Sequence, residues 1–180
     1  SGSNVSINLD GSYMGIKVDI KNAKINSGVV KVTDSKAVES STEYPVDIGD
    51  GIKLKKLTLK TGTINFTISS AMTVDMEMKI KLPRGIKDND TLQTTISIPS
   101  GQTINYAWHI TGSTLDLFSP ATSTYNSLLA EFEVGVSSGG SYINYASGQT
   151  ISVTAGFANL ELDYAEGNFG QMEVKLDSGN

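Results

Sequence analysis

The 180-residue chain contains no cysteine. That absence excludes disulfides, thiolate nucleophiles, zinc–cysteine centres and iron–sulfur clusters. Histidine occurs once, at His109, so a Ser–His–Asp triad would have to use it, and no Gly-x-Ser-x-Gly elbow accompanies it. Tryptophan also occurs once, at Trp108. Positive charge is scarce: 14 Lys and Arg stand against 19 Asp and Glu, a formal charge of −5. Nucleic-acid binding draws most of its affinity from clustered positive charge. The nearest cluster, Lys53, Lys55, Lys56 and Lys60, reads as the wet face of a strand, so no nucleic-acid partner is expected. No apolar run approaches the ~18 residues of a membrane helix, so no transmembrane segment is expected. No signal-peptide pattern opens the chain. It begins Ser1-Gly-Ser-Asn4, which reads as a processed edge, and a piece of a longer protein is expected.

What the chain does have is glycine (18 residues), serine and threonine, with only 18% charged residues. That composition is poor for amphipathic helices and suits strands joined by tight turns. A chain of this length fits a single domain spanning 1–180 and can bury roughly 70% of its unfolded surface.

Apolar residues recur with period two. Met72, Val74, Met76, Met78, Ile80 and Leu82 alternate with polar or charged residues, among them Asp75, Glu77, Lys79 and Lys81. In a strand this puts one face in the core and the other in water. Pro83-Arg84-Gly85 is expected to stop that strand. Val5–Leu9 and Met14–Ile20 flank Asp10-Gly11 and read as a hairpin. Residues 35–43 are polar and read as loop. The phase slips at Lys55-Lys56, and a bulge there would keep Leu54 and Leu57 both facing inward. Tyr125, Leu128, Leu129 and Phe132 have helical spacing behind Ser123 and Thr124 as caps. The expected fold is therefore all-β: an antiparallel β-sandwich or curved β-sheet with about a dozen strands and at most one short helix.

The pentapeptide Ser-Gly-Gln-Thr-Ile occurs twice, at 100–104 and 147–151, and Leu115-Asp116 matches Leu162-Asp163 at the same offset. A shorter echo is Gly62-Thr63-Ile64. In each, glycine supplies turn freedom, threonine suits a half-exposed pleat, and isoleucine starts a buried face. The motif reads as a way of opening a strand. An internal duplication with halves of about 70–117 and 118–164 is the further expectation.

Few residues suggest chemistry. Asp47 and Asp50, and Asp88 and Asp90, offer oxygen ligands for Ca²⁺, although Asx turns explain both pairs and no cofactor is expected. Tyr142 and Tyr145 lie in a Gly/Ser-rich stretch and are candidates for stacking on a ligand. Trp108 is a third candidate, though alternation with Tyr106 and Ile110 favours the core. The sharpest acidic set is Glu161-Leu-Asp163-Tyr-Ala-Glu166. Its E-x-D-x-x-E spacing resembles the catalytic strand of laminarinase-type retaining glycoside hydrolases. That resemblance implies Glu161 as nucleophile, Asp163 as its orienting partner and Glu166 as acid/base, two carboxylates about 5 Å apart. Read from the residues alone, the same segment is a strand with Glu161 and Asp163 on its wet face and Glu166 in a turn.

The overall style, with Asn159-Leu-Glu-Leu-Asp-Tyr-Ala-Glu-Gly-Asn-Phe-Gly-Gln171 leading into a last strand, resembles β-rich domains of bacterial surface lipoproteins. This resemblance implies a place at the cell surface or in the periplasm and roles such as adhesion or carbohydrate binding. The leading expectation is a non-catalytic, extracytoplasmic β-domain that binds an unknown protein or glycan or serves as structure. The alternatives are a glycan hydrolase using Glu161 and Glu166, and a carrier of lipid or another apolar ligand.

Overall fold

A computed structural model describes residues 13–18, 27–31, 36–46, 51–136, 142–146 and 149–168, with side chains for 39–46, 51–136 and 149–168. The described residues are all-β and contain no helix. The strands are β1 (Tyr13–Val18), β2 (Ser27–Lys31), β3 (Lys36–Pro45), β4 (Lys53–Ser70), β5 (Met76–Lys87), β6 (Asp90–Ile98), β7 (Thr103–His109), β8 (Thr114–Asp116), β9 (Ser127–Val136), β10 (Tyr142–Ala146) and β11 (Ile151–Asn168). All pair antiparallel; β2 and β10 form a small ribbon and the other nine form one curled sheet, a half-barrel.

Among the described residues the strands are fewer than the sequence runs suggested, because some runs read as separate strands are continuous. Leu54–Leu59 and Ile64–Ile68 both belong to β4, and Ile151–Phe157 and Leu160–Tyr164 both belong to β11. Each is 18 residues long and carries irregular register instead of a turn. The expected slip at Lys55-Lys56 is one such place: Glu166 pairs with Lys56 and Gly167 with Leu54, leaving Lys55 as the extra residue. Leu54 and Leu57 both stay buried.

The sheet divides at β8. The lower part of β4 pairs with β8, which pairs in turn with Gly85 and Ile86 of β5. Above that point β4 pairs with β7, while β5 pairs with β9. Two four-stranded leaves result, β1-β11-β4-β7 and β3-β9-β5-β6. Their buried residues form one core: Ile64, Phe66 and Ile68 from the first leaf, Met76, Met78 and Ile80 from the second. The methionine stripe is thus core, as the alternation implied.

Pro83-Arg84-Gly85 does not end its strand. The three residues form a bulge, since Leu82 pairs with Leu92 and the next pair is Ile86 with Thr91. Proline lacks the N–H that a regular ladder needs and is tolerated at such a place. The kink moves β5 from β9 to β8. A Cβ on Gly85 would sit 2.9 Å from Leu92 Cδ1 and 3.1 Å from Leu82 Cβ, so a larger residue at the crossing would have to push these side chains aside. The strand ends at Asp88-Asn89, both at positive φ (52° and 69°), a two-residue turn joining Lys87 to its partner Asp90.

Two other expectations are corrected. Residues 125–132 are not helical: Leu128, Ala130, Phe132 and Val134 alternate inward along β9. A separation of four residues, as between Leu128 and Phe132, fits one face of a helix and one face of a strand equally well. Residues 36–45 are not loop but β3, which among the described residues pairs only with β9 and so forms an edge of the sheet, where polar side chains meet water. β1 pairs with β11; its expected hairpin partner, Val5–Leu9, lies outside the described residues.

The two Ser-Gly-Gln-Thr-Ile copies open β7 and β11, which clasp opposite edges of β4 at the same end. Gly101 has φ +63°, and its N–H donates to the Met72 carbonyl (2.9 Å). In the second copy Gln149 is buried and donates to Thr73 Oγ1 (3.0 Å). Both copies thus fasten the β4–β5 connection. Further down β4, Leu115 of β8 pairs with Leu57 and Leu162 of β11 with Leu59. The Gly62 echo has another cause: it lies inside β4, where an added Cβ would be 3.0 Å from Leu59 Cδ1 and 3.1 Å from Leu160 Cδ2.

Candidate functional site

The acidic segment lies on β11 against the lower part of β4. Glu161 accepts from Lys60 Nζ at 2.6 Å, and Glu166 accepts from Lys55 Nζ at 2.9 Å. All four side chains are roughly half exposed. The hydrogen bond and charge of each glutamate raise the partner ammonium above its ordinary value. The two lysines are about 16 Å apart along β4, at ~3.3 Å per residue. Each carboxylate is therefore tied to its own cation, and the two are not brought together as a pair. Asp163 is exposed and is the extra residue of a bulge, since Leu162 pairs with Leu59 and Tyr164 with Thr58.

Trp108 lies in the core on β7, opposite Ile64. Tyr106 points inward too, its hydroxyl 2.8 Å from Thr94 Oγ1 of β6. Tyr142 and Tyr145 belong to β10, not to a loop; their side chains lie outside the described residues. Asp47 and Asp50 lie outside them as well. Asp88 and Asp90 are exposed in the β5–β6 turn, and among the described residues no three His, Asp or Glu gather as metal ligands. No helix among these residues is long and apolar enough to cross a membrane.

An apolar cavity between β4, β8 and β11, lined by Leu57, Leu59, Leu115, Leu117, Phe157 and Leu160, measures ≈ 10 Å³. Sites for drug-sized ligands run to about 300–1,000 Å³. An open groove of ≈ 460 Å³ lies over β3, β9 and β5, and its walls are charged: Glu39, Lys79, Lys81, Glu131 and Glu133.

The outer faces of the two leaves differ in chemistry. On β3-β9-β5 charge of both signs is interleaved: Glu133 lies between Glu39 and Lys79, and Glu131 is 3.6 Å from Lys81. On β11-β4-β7 the cross-strand rows hold no Asp, Glu, Lys or Arg, although Lys17 of β1 continues the row of Ser152. Ser152, Ser69 and Thr103 form one row, and Thr154, Thr67 and Asn105 the next. Asn65 with Ala107, and Thr63 with His109, continue the pattern. Side chains within the rows hydrogen-bond to each other: Ser69 with Thr103 at 2.8 Å, Thr67 to Asn105 Oδ1 at 2.9 Å, and Thr63 with His109 Nδ1 at 3.2 Å. Below this face, Tyr164 and Ile86 stand out at 52% and 49% exposed, in the row Tyr164, Thr58, Thr114, Ile86. Neither feature came from the sequence reading. The signal was present in the wet positions of β4 and β7, which hold no Asp, Glu, Lys or Arg from Thr63 to Ser69 or from Thr103 to His109.

No family model matches the chain, and no curated protein matches it.

Proposed function

We propose that this chain is a non-catalytic β-domain, displayed outside the cytoplasm, that binds a partner through an outer sheet face. The observation that carries the reading is the pairing of Glu161 with Lys60 and of Glu166 with Lys55. A retaining hydrolase needs its two carboxylates about 5 Å apart across one scissile bond. Here each serves as the acceptor of a separate surface ion pair. The chain's remaining chemistry lies on wide faces over a single packed core, which is the build of a binding or structural module.

The test is a thermal-shift panel on the purified chain against Ca²⁺, soluble polysaccharides and lipids, run beside an assay for release of reducing ends. A ligand that binds only the folded state adds about 2.7 kcal/mol at a hundredfold excess over Kd. For a chain of this size that is a rise of roughly 5–10 °C in Tm. A shift with a polysaccharide and no release of reducing ends supports the reading. Release that disappears in both Glu161→Gln and Glu166→Gln would establish a hydrolase instead. Neither substitution is expected to change stability by more than about 0.5 kcal/mol, because exposed ion pairs contribute little.

A further inference from the structure

We infer that the lower outer face of the sheet, where β11, β4, β8 and β5 lie side by side, pairs with the same face of a second copy of this chain. The inference goes beyond the binding reading above, which is decided separately by its own panel.

Three large apolar side chains among the described residues are exposed, and all three gather at this end: Tyr164, Ile86 and Tyr125. Exposed apolar residues scattered singly need no explanation, whereas a group of them marks a contact surface. Cross-strand partners share a face of the sheet. Tyr164 and Ile86 stand on either side of Thr58 and Thr114 in one row, about 14 Å apart at ~4.8 Å per strand. The exposed Thr91 of β6 extends the row past Ile86. Thr58 and Thr114 hydrogen-bond to each other at 3.2 Å, so the middle of the row loses little when water leaves it. Tyr125 packs edge-on against Phe118, ring centroids 5.2 Å apart, and stands near Lys55.

The charges beside this row decide what covers it. The next row holds Glu166, Lys56 and Asp116. Glu166 accepts from Lys55 at 2.9 Å, and Asp116 accepts from the Phe118 N–H at 2.9 Å through Oδ1. Lys56 has no ion-pair partner among the described residues. The signs alternate from strand to strand, with a spare cation on β4 and a spare carboxylate oxygen on β8. A polyanion or a membrane surface would meet the carboxylates as well as the lysines. The complement of this face is the same pattern reversed, and a two-fold axis supplies the reversal.

The axis runs parallel to the strands and passes between β4 and β8. It lays β4 over β8 of the second copy and β11 over β5. Lys56 then faces Asp116 of the second copy, Tyr164 faces Ile86 and Thr58 faces Thr114, each contact occurring twice. Stacked sheets with nearly aligned strands lie about 10 Å apart, within reach of these side chains. Beyond the apolar row lie the Lys60–Glu161 ion pair, Asp163 and, on the β5–β6 turn, Asp88. There the axis brings Asp163 towards Asp88 of the second copy, at an exposed rim where water and salt screen like charges. At about 14 Å by 20 Å the face falls short of the ~800 Å² that each partner buries in a standard interface, so the dimer is a weak one that forms as concentration rises.

The experiment is sedimentation velocity of the whole chain from about 1 to about 300 μM, a range that brackets weak association. The expected result is a monomer that becomes a dimer across this range. Tyr164→Glu and Ile86→Lys should each weaken self-association at least tenfold, because each sets a charge against an apolar side chain. An equimolar mixture of the two should dimerise again, since Glu at 164 then faces Lys at 86 on one side of the axis and Ile86 faces Tyr164 on the other. Lys56→Asp, at an exposed position with no ion-pair partner, should repeat the loss without touching the packing. Lys79→Gln on the other leaf should stay within twofold of the parent, and Tm values equal to the parent's would show that the variants keep the fold. A parent that stays monomeric throughout overturns the proposal. A parent dimer that all three variants leave intact places the contact elsewhere and overturns it too. Variants that stay monomeric when mixed overturn the two-fold pairing of Tyr164 with Ile86.

Discussion

Asn126 sits just before β9 at φ 55°, and its side chain bridges to the start of β4. Its Oδ1 accepts from Leu54 N–H at 2.6 Å, and its Nδ2 donates to the Ile52 carbonyl at 2.7 Å. Its backbone carbonyl accepts from Val46 N–H at 2.8 Å, which ties in the end of β3. Replacement by alanine removes both side-chain bonds and leaves two partly buried backbone groups unsatisfied, at about 1–1.5 kcal/mol each. It also forces a Cβ-bearing residue without a local polar group into the left-handed region, which costs a further ~1 kcal/mol. Asn126→Ala should therefore destabilise by about 3–4 kcal/mol, and Asn126→Gly, which suffers no strain there, by about 2–3 kcal/mol. Urea unfolding followed by the fluorescence of Trp108, the chain's single tryptophan and buried in its core, measures both. For a chain of this size each kcal/mol corresponds to roughly 2–4 °C in Tm. Equal values for the two variants would remove the backbone-strain component. A loss under about 0.5 kcal/mol for both would refute the bridge itself.

Two further outcomes follow from the same kind of reasoning. Gly167→Ala would place a Cβ 2.2 Å from the Lys53 carbonyl oxygen and 2.8 Å from Leu54 Cα, both backbone, so the last turn of pairing between β11 and β4 must open; amide exchange at Lys53–Leu57 should accelerate while the upper part of β4 stays protected. Glu43 is pushed up by partial burial, but the hydrogen bond from Ser127 and the charge and hydrogen bond of Arg84 outweigh that and hold its carboxyl below the ordinary value of 4.5. Its folded value is depressed, so its contribution is present above pH 4.5 and is lost as pH falls through the lower, folded value. Glu43→Gln should lower stability at neutral pH and flatten the acid limb, and an acid limb identical to the parent's would refute the link.

Much of the fold was legible because one rule governs most of it. Alternation along Met76–Leu82, Ile64–Ile68 and Phe132–Val134 marked buried positions correctly, and the slip at Lys55-Lys56 announced a bulge. The failures share a cause: period two does not say where a strand ends or what it pairs with. Pro83-Arg84-Gly85 looked like a stop because a bulge and a turn use the same residues. β3 looked like loop because an edge strand with only β9 beside it can carry Ser40, Ser41 and Thr42 in water. At the candidate site, residue types were read one at a time. Glu161 and Glu166 drew attention as acids, whereas their lysine partners lie about a hundred residues earlier and only pairing reveals them. The charge-free strip escaped for the same reason: the uncharged wet positions of β4 and β7 are each visible in the sequence, but only pairing sets them side by side. The bridge by Asn126 spans 72 residues to Leu54 and had no local signature.

The position of β11 also decides when this protein can fold as it is made. β11 supplies the partner for β1 and for one whole edge of β4, joining residues 13–18 and 53–70 to 151–168. The leaf β3-β9-β5-β6 is complete in sequence by Val136 and can assemble as soon as that stretch has emerged. The other leaf must wait for a further segment that takes roughly 2–6 s to synthesise at 5–20 residues per second. During that interval β4 has β7 on one side and an open edge on the other, with Leu59, Ile64, Phe66 and Ile68 not yet covered by β11. Sheets closed by such distant pairings fold slowly, in milliseconds to seconds. The nascent chain therefore carries a bare, apolar edge strand for longer than collapse takes, and its yield in the cell depends on what shields β4 until the last strand arrives.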